Sequence, residues 1–267
     1  MLEAAGCDST VFDASCMIEK LAGVSRGGLL LRSGDIAPRD LIEAVEAAAK
    51  QRAAGRPLQY ILGEWDFLSL TLEVGEGVLI PRADTELLCE TAAGRLEGVE
   101  APRVLDLCAG SGCVGLGIAS LCKGAAVTAV ELSGQAFGYL KRNCTRYPGL
   151  NVLPVKADVL KDFDQFGGGY DAILSNPPYI PTGDLPLLMR EVKWEPAMAL
   201  DGGDGLVFYR MIADHWLDRL KEGGFCAVEV GIGQAEAVME IFAGAGLRGV
   251  EVFRDLNRIK RVVIGGK

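Results

Sequence analysis

Short apolar segments alternate with amphipathic segments from Arg103 to the end of the chain. Short, mainly apolar runs of three to six residues predict buried strands, whereas apolar positions at three- and four-residue spacing predict helices. The predicted strands are 104–107, 127–130, 152–155, 172–174, 225–230, 249–253 and 261–264. The predicted helices are 114–121, 135–147, 206–220 and 234–245. This alternation predicts an α/β fold, with a doubly wound parallel sheet and helices on both faces. The last two strands are joined only by a short turn, so they must pair antiparallel.

The N-terminal part of the chain follows a different pattern. Residues 11–22 and 39–53 carry apolar residues at helical spacing, and Pro38 suits a helix start. Residues 67–74 alternate with period two, Gly75 and Gly77 interrupt the alternation, and 78–80 resume it, which predicts a β-hairpin. We therefore expect a small helical substrate-docking domain at 1–55, a β-hairpin linker at 56–80 and an α/β domain at 81–267.

Composition narrows the possible compartments and membrane partners. The chain has 267 residues, of which 49% are hydrophobic, so a large core can be buried. No apolar run approaches the ~18 residues that a membrane-spanning helix needs. The N-terminus lacks the basic segment and apolar stretch of a secretory signal. We expect a soluble cytoplasmic protein with no membrane partner.

Charge and metal-binding residue types limit the ligands. The formal net charge is −9, whereas proteins that bind nucleic acid usually present a basic surface to the phosphates. We therefore expect no direct nucleic-acid partner. The eight cysteines include no C-x-x-C pair, and His215 is the single histidine. Zinc and redox sites need tighter spacing of such residues, so we expect reduced thiols and no metal site.

A glycine-rich turn joins the first strand of the α/β part to its helix. The segment contains Asp106, Cys108, Ala109, Gly110, Ser111, Gly112 and Gly115. Glycine lets a ligand approach the backbone closely. Glu131 ends the next strand, where a carboxylate can accept hydrogen bonds from both ribose hydroxyls. Asp158 and Val159 follow the third strand and could hold and flank an adenine ring.

Two cofactors fit such a cleft, a dinucleotide and S-adenosylmethionine. A dinucleotide would place its pyrophosphate at the N-terminus of the helix. Asp106 would repel a pyrophosphate but suits the ammonium group of a methionine moiety. The carboxylates at three successive strand ends lie where open α/β sheets bind ligands. The sequence therefore favours S-adenosylmethionine.

The fourth strand of the α/β part is followed by Asn176-Pro177-Pro178-Tyr179. The tandem prolines stiffen this loop and bias Asn176 towards an extended conformation. The Asn176 side-chain oxygen and the Pro177 carbonyl are two acceptors that could hold a planar NH2 group, with Tyr179 against its face. An amide nitrogen is a poor nucleophile, so orienting it opposite the leaving sulfur is the main help that a site can give. These residues predict methyl transfer to a planar amide or amine nitrogen.

The motifs together resemble those of the release factor glutamine N5-methyltransferases, the PrmC or HemK family. The resemblance rests on 56–63, 79–86, 106–112 and 176–179, together with Trp194-Glu195-Pro196, and it extends over residues 10–267. It implies a class I methyltransferase fold, in which a seven-stranded, mostly parallel sheet ends in an antiparallel hairpin. It also implies transfer of a methyl group to N5 of the glutamine in the Gly-Gly-Gln motif of peptide chain release factors.

The resemblance also implies roles for individual residues. Asn176, Pro177 and Tyr179 would be catalytic, and the substrate would contact Asn176 to Tyr179, with Arg82 and Glu195 at the pocket border. The cofactor would contact Asp106, Cys108, Ala109, Gly110, Ser111, Gly112, Glu131, Asp158, Val159 and Asn176. Cys108 stands where family members often have glycine, and Glu131 where aspartate is common.

Three alternatives remain open from the residues. A ribosomal RNA or DNA N-methyltransferase would share the Asn176–Tyr179 loop, although the acidic charge and the 80–86 segment argue against it. A dinucleotide-dependent oxidoreductase would explain Gly110, Gly112, Gly115 and Glu131 but leave that loop without a role. A binding module that kept the fold without catalysis is disfavoured by the intact loop.

Overall fold

The computed structural model describes residues 1–32 and 34–267, and of Arg26 only the backbone. Its α-helices are α1 (Thr10–Ala22), α2 (Arg26–Leu31), α3 (Arg39–Ala53), α4 (Leu58–Leu62), α5 (Ala83–Arg95), α6 (Cys113–Leu121), α7 (Gly134–Arg146), α8 (Val207–Met211) and α9 (Ala235–Gly244). Its strands are β1 (Glu64–Phe67), β2 (Leu70–Glu73), β3 (Arg103–Leu107), β4 (Ala126–Glu131), β5 (Asn151–Lys156), β6 (Tyr170–Ser175), β7 (Leu220–Glu229), β8 (Arg248–Arg254) and β9 (Lys260–Gly266). Strands β3 to β9 correspond to the seven predicted from the apolar runs.

The large sheet has the strand order β5-β4-β3-β6-β7-β9-β8. Strands β3 to β7 are mutually parallel, and β9 is antiparallel to both β7 and β8. The predicted antiparallel hairpin at the C-terminus is therefore confirmed. The chain winds outward from β3 to β4 and β5, then returns to the other side of β3 with β6. This reversal creates a crevice at the carboxyl ends of the central strands, where ligands bind in open α/β folds.

Alternate residues of the central strands pack into different hydrophobic cores. Val104 and Leu174 belong to a core that includes Leu88 of α5 and Leu116 of α6. Leu105 and Ile173 belong to another core that includes Tyr209, Trp216, Val238 and Phe242. Successive side chains of a strand point to opposite faces, so helices cover both faces of the sheet. The predicted doubly wound architecture is confirmed.

The hairpin near residue 70 differs from the one expected. Residues 67–74 do not form one strand, because the chain turns at Leu68 and pairs β1 with β2 antiparallel. Residues 78–80 are not in a strand. Leu68 has φ +53°, a left-handed conformation that a branched side chain rarely adopts and that the sequence does not signal. The period-two pattern was therefore correct about strand character but wrong about the pairing.

Two helical segments also differ from expectation. Helix α5 is not predicted from the sequence. The apolar residues of this helix follow the helical period only weakly, and its first turn overlaps the motif at 79–86. The predicted helix 206–220 is divided into α8, a π-helical segment Ile212–Trp216 and a 3-10 turn Leu217–Arg219. The single histidine, His215, lies in the π segment and stacks on Phe163, with ring centroids 4.1 Å apart. That position is structural and lies outside the cleft described below.

The N-terminal helices share a small core of their own, which includes Met17 of α1, Ala48 of α3 and Leu58 of α4. A buried ion pair lies beside this core. Arg52 Nε is 2.6 Å from Asp13 Oδ2, and Arg52 Nη1 is 2.6 Å from Glu191 of the α/β part. Arg52 therefore joins two N-terminal helices to a segment that follows β6. No helix among the described residues is long and apolar enough to cross a membrane.

Replacement of Arg52 by alanine is expected to lower the free energy of unfolding by about 3–5 kcal/mol, because it leaves the buried Asp13 carboxylate without its counterion. The exposed Arg39–Glu43 pair of α3 provides the matched control. Arg39→Ala should cost less than about 1 kcal/mol, since an exposed pair is screened by water. Urea unfolding followed by circular dichroism measures both. Equal losses for the two variants would contradict the structural role assigned to Arg52.

Candidate functional site

A cavity of about 440 Å³ opens at the carboxyl ends of the central strands. Its walls come from the loops after β3, β4, β5 and β6 and from two other segments, 77–85 and 196–208. The predicted site residues among its lining are Arg82, Cys108, Ala109, Gly110, Ser111, Glu131, Asp158, Val159, Asn176 and Pro178. Residues far apart in the sequence thus converge on one crevice, as the strand-end positions predicted.

The loop after β3 is held in an unusual backbone conformation. Cys108 has φ +62° and Gly112 has φ +87°, both in the left-handed region that favours glycine. A Cβ atom on Gly112 would lie 2.6 Å from Leu140 Cδ1 of α7, so a side chain there would require the buried Leu140 side chain to move. Cysteine at position 108 thus adopts a backbone conformation that costs energy for any residue with a Cβ atom. Burial raises the pKa of the Cys108 thiol, which therefore stays protonated at neutral pH.

Asp106 lies behind this loop rather than on the cavity wall. The carboxyl is fully buried, its Oδ2 accepts a hydrogen bond of 2.8 Å from Gly115 N, and its Oδ1 has no partner among the described residues. Burial raises the pKa of Asp106 to about 8, opposed by the Gly115 hydrogen bond and reinforced by Glu131. The proposed role of Asp106 towards the cofactor ammonium would thus act through the loop.

Glu131 occupies the middle of the cavity at the end of β4. Its Oε2 accepts a hydrogen bond of 2.8 Å from Gly110 N, and its Oε1 accepts one of 2.6 Å from Ser133 N. These bonds aim the carboxyl while each oxygen keeps a second lone pair for a ligand. Burial raises the pKa of Glu131, and the backbone donors oppose that shift.

Asp158 and Val159 lie beyond Glu131, at the end of β5. Asp158 Oδ1 accepts a hydrogen bond of 2.9 Å from Leu160 N, which fixes the carboxyl at the cavity wall. The buried Val159 side chain also lines the cavity and adds an apolar surface next to that carboxyl. These positions are compatible with the predicted adenine site, in which the carboxyl would accept a hydrogen bond from an exocyclic amino group.

The donor set fits S-adenosylmethionine better than a dinucleotide. Arg82 is the one Lys or Arg that lines the cavity within the described residues, and it is already paired with Glu195. A pyrophosphate would therefore meet carboxylates without a free counterion. Ser111 lines the cavity, and its buried hydroxyl lies next to the Cys113 thiol. A serine hydroxyl can rotate, so it could also donate to a polar ligand. Residues Ser111, Glu131 and Asp158 would hold a methionine moiety, a ribose and an adenine.

The Asn176–Tyr179 loop forms the edge of the cavity next to these residues. Asn176 Nδ2 donates a hydrogen bond of 3.0 Å to Thr85 Oγ1 of α5. Asn176 Oδ1 accepts no hydrogen bond from the described part of the chain. Pro177 and Pro178 are buried, and Pro178 lines the cavity. The loop therefore presents a rigid acceptor beside the cofactor-sized space.

Comparison with known proteins identifies the family. The model of the PrmC N-terminal domain matches residues 1–63, and the model of conserved hypothetical protein 95 matches residues 88–208. The chain is 38% identical to the release factor glutamine methyltransferase of Geobacter sulfurreducens, over 97% of this chain and 90% of that protein. The chain belongs to the release factor glutamine methyltransferase family. Its relative from Bordetella pertussis is 39% identical over 94% of this chain and 92% of that protein.

Solved structures of lower similarity share the fold. The 16S rRNA N2 G1207 methyltransferase of T. thermophilus, in complex with AdoMet and guanosine, is 22% identical over 76% of this chain and 49% of that one, with a TM-score of 0.54. The class I methyltransferase fold expected from the sequence is thereby confirmed. Family membership makes this chain a methyltransferase and S-adenosylmethionine its methyl donor.

Arg82 and Glu195 connect two segments of this methyltransferase at the cavity mouth. Their side chains form an ion pair in which Arg82 Nη2 contacts Glu195 Oε1, and Glu195 Oε2 accepts a hydrogen bond of 2.9 Å from Ile80 N. Glu195 is almost fully buried, and burial raises its pKa while Arg82 opposes the shift. The pair thus fastens the 79–86 segment to the loop that follows β6, and Arg82 alone of the two lines the cavity.

A buried carboxyl that sequence reasoning missed lies directly behind the Asn176–Tyr179 loop. Glu229, the last residue of β7, accepts a 2.5 Å hydrogen bond from Thr85 Oγ1 at Oε2 and a 3.3 Å hydrogen bond from Tyr179 OH at Oε1. Burial raises the pKa of Glu229 to about 7, opposed by those two hydroxyl donors. The position of Glu229 at the end of a strand is the same sequence signal that predicts Glu131 and Asp158 as site residues.

Other residues of the site carried no usable sequence signal. Gly202 packs against the Asn176–Tyr179 loop so closely that a Cβ there would lie 2.7 Å from Pro178 O. Met198 and Phe208 line the outer wall of the cavity. These contacts depend on how the 180–206 segment folds back over the sheet, which periodicity does not predict.

Proposed function

We propose that this chain transfers the methyl group of S-adenosylmethionine to the side-chain amide nitrogen of the glutamine in the Gly-Gly-Gln motif of peptide chain release factors. The relatives with which it shares more than a third of its residues over nearly its whole length are release factor glutamine methyltransferases. The proposal extends their activity to this chain and assigns roles to its residues.

The observation that carries the proposal is the orientation of Asn176. Asn176 Nδ2 donates one hydrogen bond to Thr85 Oγ1, which turns the NH2 group towards Thr85. The Oδ1 atom is the acceptor that the side chain offers to a ligand at the cavity edge. A glutamine side chain offers a planar NH2 group with two donors. Asn176 Oδ1 and the Pro177 carbonyl are the two acceptors proposed to hold it. The Tyr179 hydroxyl donates a hydrogen bond to Glu229 and so anchors the end of the Asn176–Tyr179 loop.

Positioning is the main contribution expected of these residues. Bound S-adenosylmethionine supplies a methyl group already activated by its sulfonium. Asn176 and Pro177 fix both N–H bonds of the amide, so the nitrogen lone pair is aimed and electron density is drawn towards nitrogen. Orientation of this kind can supply up to about 7–11 kcal/mol of a reaction barrier. A base prepared in advance is not required, because the proton can leave after the methyl group arrives.

A nucleic-acid substrate is the second candidate, since the same loop could hold the amino group of a base. The charge of −9 disfavours it, because binding of a phosphate backbone needs several free cations. Arg82, the single cation on the described cavity wall, is paired with Glu195. The likeness to a ribosomal RNA methyltransferase concerns the fold alone.

We further propose the division of the chain into a helical docking domain at 1–55, a linker at 56–80 and a methyltransferase domain at 81–267. The core shared by α1, α3 and α4 supports a separate helical unit at this end of the chain, although that core reaches Leu58, beyond the proposed boundary at residue 55. Arg52 and Ala54 contact Glu191 and Arg190, which precede the cavity-lining residues at 196–208. A docking domain fixed there is placed to hold a folded factor near the cleft. Release factors act on ribosomes, so the proposed compartment is the cytoplasm.

Methyl transfer from radiolabelled cofactor tests the substrate class. Purified release factor and protein-free ribosomal RNA are offered separately to the enzyme, each at the same concentration. We expect label in the release factor and none above background in the RNA. Label in the RNA with an unlabelled factor would favour the second candidate and overturn the first.

A further inference from the structure

A continuous hydrogen-bonded chain runs from the interior of the sheet to the cavity edge. It begins at the Glu229 carboxyl, which is 1% exposed, passes through Thr85 Oγ1, also 1% exposed, and ends at the Asn176 side chain. The three residues come from β7, α5 and the loop after β6, so the tertiary fold alone brings them together. The sequence motifs assign no role to Thr85 or Glu229.

We propose that Glu229 and Thr85 are positioning residues that set the orientation of the Asn176 amide, so that its oxygen and not its NH2 group faces the substrate. This inference rests on the proposed function, because the substrate NH2 group is what an oxygen at that place would bind. It adds two residues that act through Asn176: Thr85, which lines the cavity, and Glu229, which does not.

The donors and acceptors along this hydrogen-bonded chain determine which way the Asn176 amide faces. Glu229 is ionised above its pKa of about 7. In that form both of its oxygens accept hydrogen bonds, one from the Thr85 hydroxyl and the other from the Tyr179 hydroxyl. A threonine hydroxyl has one hydrogen to donate, and Thr85 donates it to Glu229. Thr85 Oγ1 therefore offers only lone pairs to its other neighbour. Asn176 must turn its NH2 group towards Thr85, which leaves Oδ1 for the cavity.

The same chain favours the electron distribution that the proposed reaction needs. Hydrogen bonds in series polarise one another, more strongly where water is excluded. A carboxylate at the inner end draws the Thr85 proton inward, which makes Oγ1 a better acceptor for Asn176. Asn176 Oδ1 in turn becomes a stronger acceptor for a substrate N–H. An inverted amide would instead place an NH2 group against the NH2 group of glutamine.

Glu229 also fixes the other end of the loop. Tyr179 OH donates to Oε1, while Tyr179 O accepts a 2.8 Å hydrogen bond from Gln234 Nε2. No Lys or Arg of the described chain forms an ion pair with Glu229, and the nearby Arg261 is paired with Asp84 and Asp255. The two hydroxyl groups are thus the side-chain partners of this buried carboxylate, and both lead to the substrate loop.

Thr85→Val is the sharpest test, since valine keeps the shape of threonine and removes the hydroxyl. The single-turnover rate with saturating cofactor and release factor should fall about 10- to 100-fold, the range for loss of a residue that orients a ligand-binding group. The Kd for the cofactor and the KM for the release factor should each change less than about twofold. The orientation of Asn176 is proposed to act on the methyl-transfer step and not on the binding of either ligand. Thr85→Ser retains the hydroxyl and should keep most of the parental rate. Glu229→Gln should resemble Thr85→Val, because an amide can donate to Thr85 and reverse the chain.

A second readout is independent of any substrate. In the nuclear magnetic resonance spectrum of the cofactor-free protein, one Nδ2 proton of Asn176 should be protected from solvent exchange, and Asn176→Ala assigns that signal. The protection should persist in Thr85→Ser and disappear in Thr85→Val. An unprotected signal in the parent protein, or parental rates in Thr85→Val, would overturn the inference. Persistent protection in a parent that does not methylate release factor would instead overturn the proposed function and leave the orientation of Asn176 established.

Discussion

Replacement of Asn176 by alanine is expected to lower the single-turnover rate of methyl transfer by about 10²-fold or more, the cost of losing one preorganised polar group at a reacting centre. The variant removes the acceptor at the cavity edge and the donor to Thr85 together. The Kd for S-adenosylmethionine should change little, because Ser111, Glu131 and Asp158 provide the polar contacts proposed for the cofactor. The measurement is rapid-quench methylation of a release factor at saturating cofactor.

Two further variants make that experiment specific. Asn176→Asp keeps an oxygen for the substrate but loses the NH2 donor to Thr85, so its rate should lie between those of Ala and the parent. Asn257→Ala, in the exposed turn between β8 and β9, removes the same amide far from the cleft and should leave the rate unchanged. A parental rate for Asn176→Ala would reduce the Asn176–Tyr179 segment to a rigid turn and remove the mechanism argued above.

The second large effect is expected at Glu131. Glu131→Ala should weaken S-adenosylmethionine binding at least about tenfold, because each charge-assisted hydrogen bond to a ribose hydroxyl contributes about 1.5–3 kcal/mol and about 1.4 kcal/mol is a factor of ten. In the parent protein, Gly110 N and Ser133 N donate hydrogen bonds to Glu131 and so hold the loops around the cofactor space. The alanine variant loses both of these hydrogen bonds. Isothermal titration calorimetry with the cofactor measures the change.

Glu131→Gln separates the charge from the shape. Glutamine fills the same volume and retains one acceptor oxygen, so its affinity should lie between those of the parent and the alanine variant. Thermal unfolding without cofactor shows whether each variant is folded. Unchanged affinity in a folded Glu131→Ala protein would exclude the ribose role and require another residue to hold the cofactor.

Much of the architecture could be predicted because it is recorded in local patterns. The seven strands β3 to β9 are short apolar runs, and the carboxylates Glu131 and Asp158 stand at their ends. Parallel strands bring their carboxyl ends to one edge, so proximity follows from sequence position alone. The glycines after β3 likewise predict a tight turn at that point of the sequence.

The remaining features depend on contacts between distant segments. Thr85 and Glu229 are 144 residues apart, and only the packing of α5 against the sheet makes them partners. The turn at Leu68 has no glycine or asparagine to mark it, so the β1–β2 pairing was misplaced. The predicted role of Asp106 at the cofactor stays a prediction, and its carboxyl lies buried behind the loop, where Oδ2 accepts a hydrogen bond from Gly115 N. The position of a residue at a strand end predicts that its side chain lies near the ligand crevice. It does not predict on which side of the adjoining loop the side chain lies.

The central claim, methylation of a release-factor glutamine, is tested most directly by locating the methyl group in the product. A purified release factor is incubated with the enzyme and S-adenosylmethionine, digested and sequenced by tandem mass spectrometry, beside a factor whose Gly-Gly-Gln glutamine is replaced by alanine. We expect one added methyl group on the side-chain nitrogen of that glutamine, and an unmodified alanine variant. A methyl group on any other residue, or an unmodified factor in the presence of active enzyme, would contradict the account.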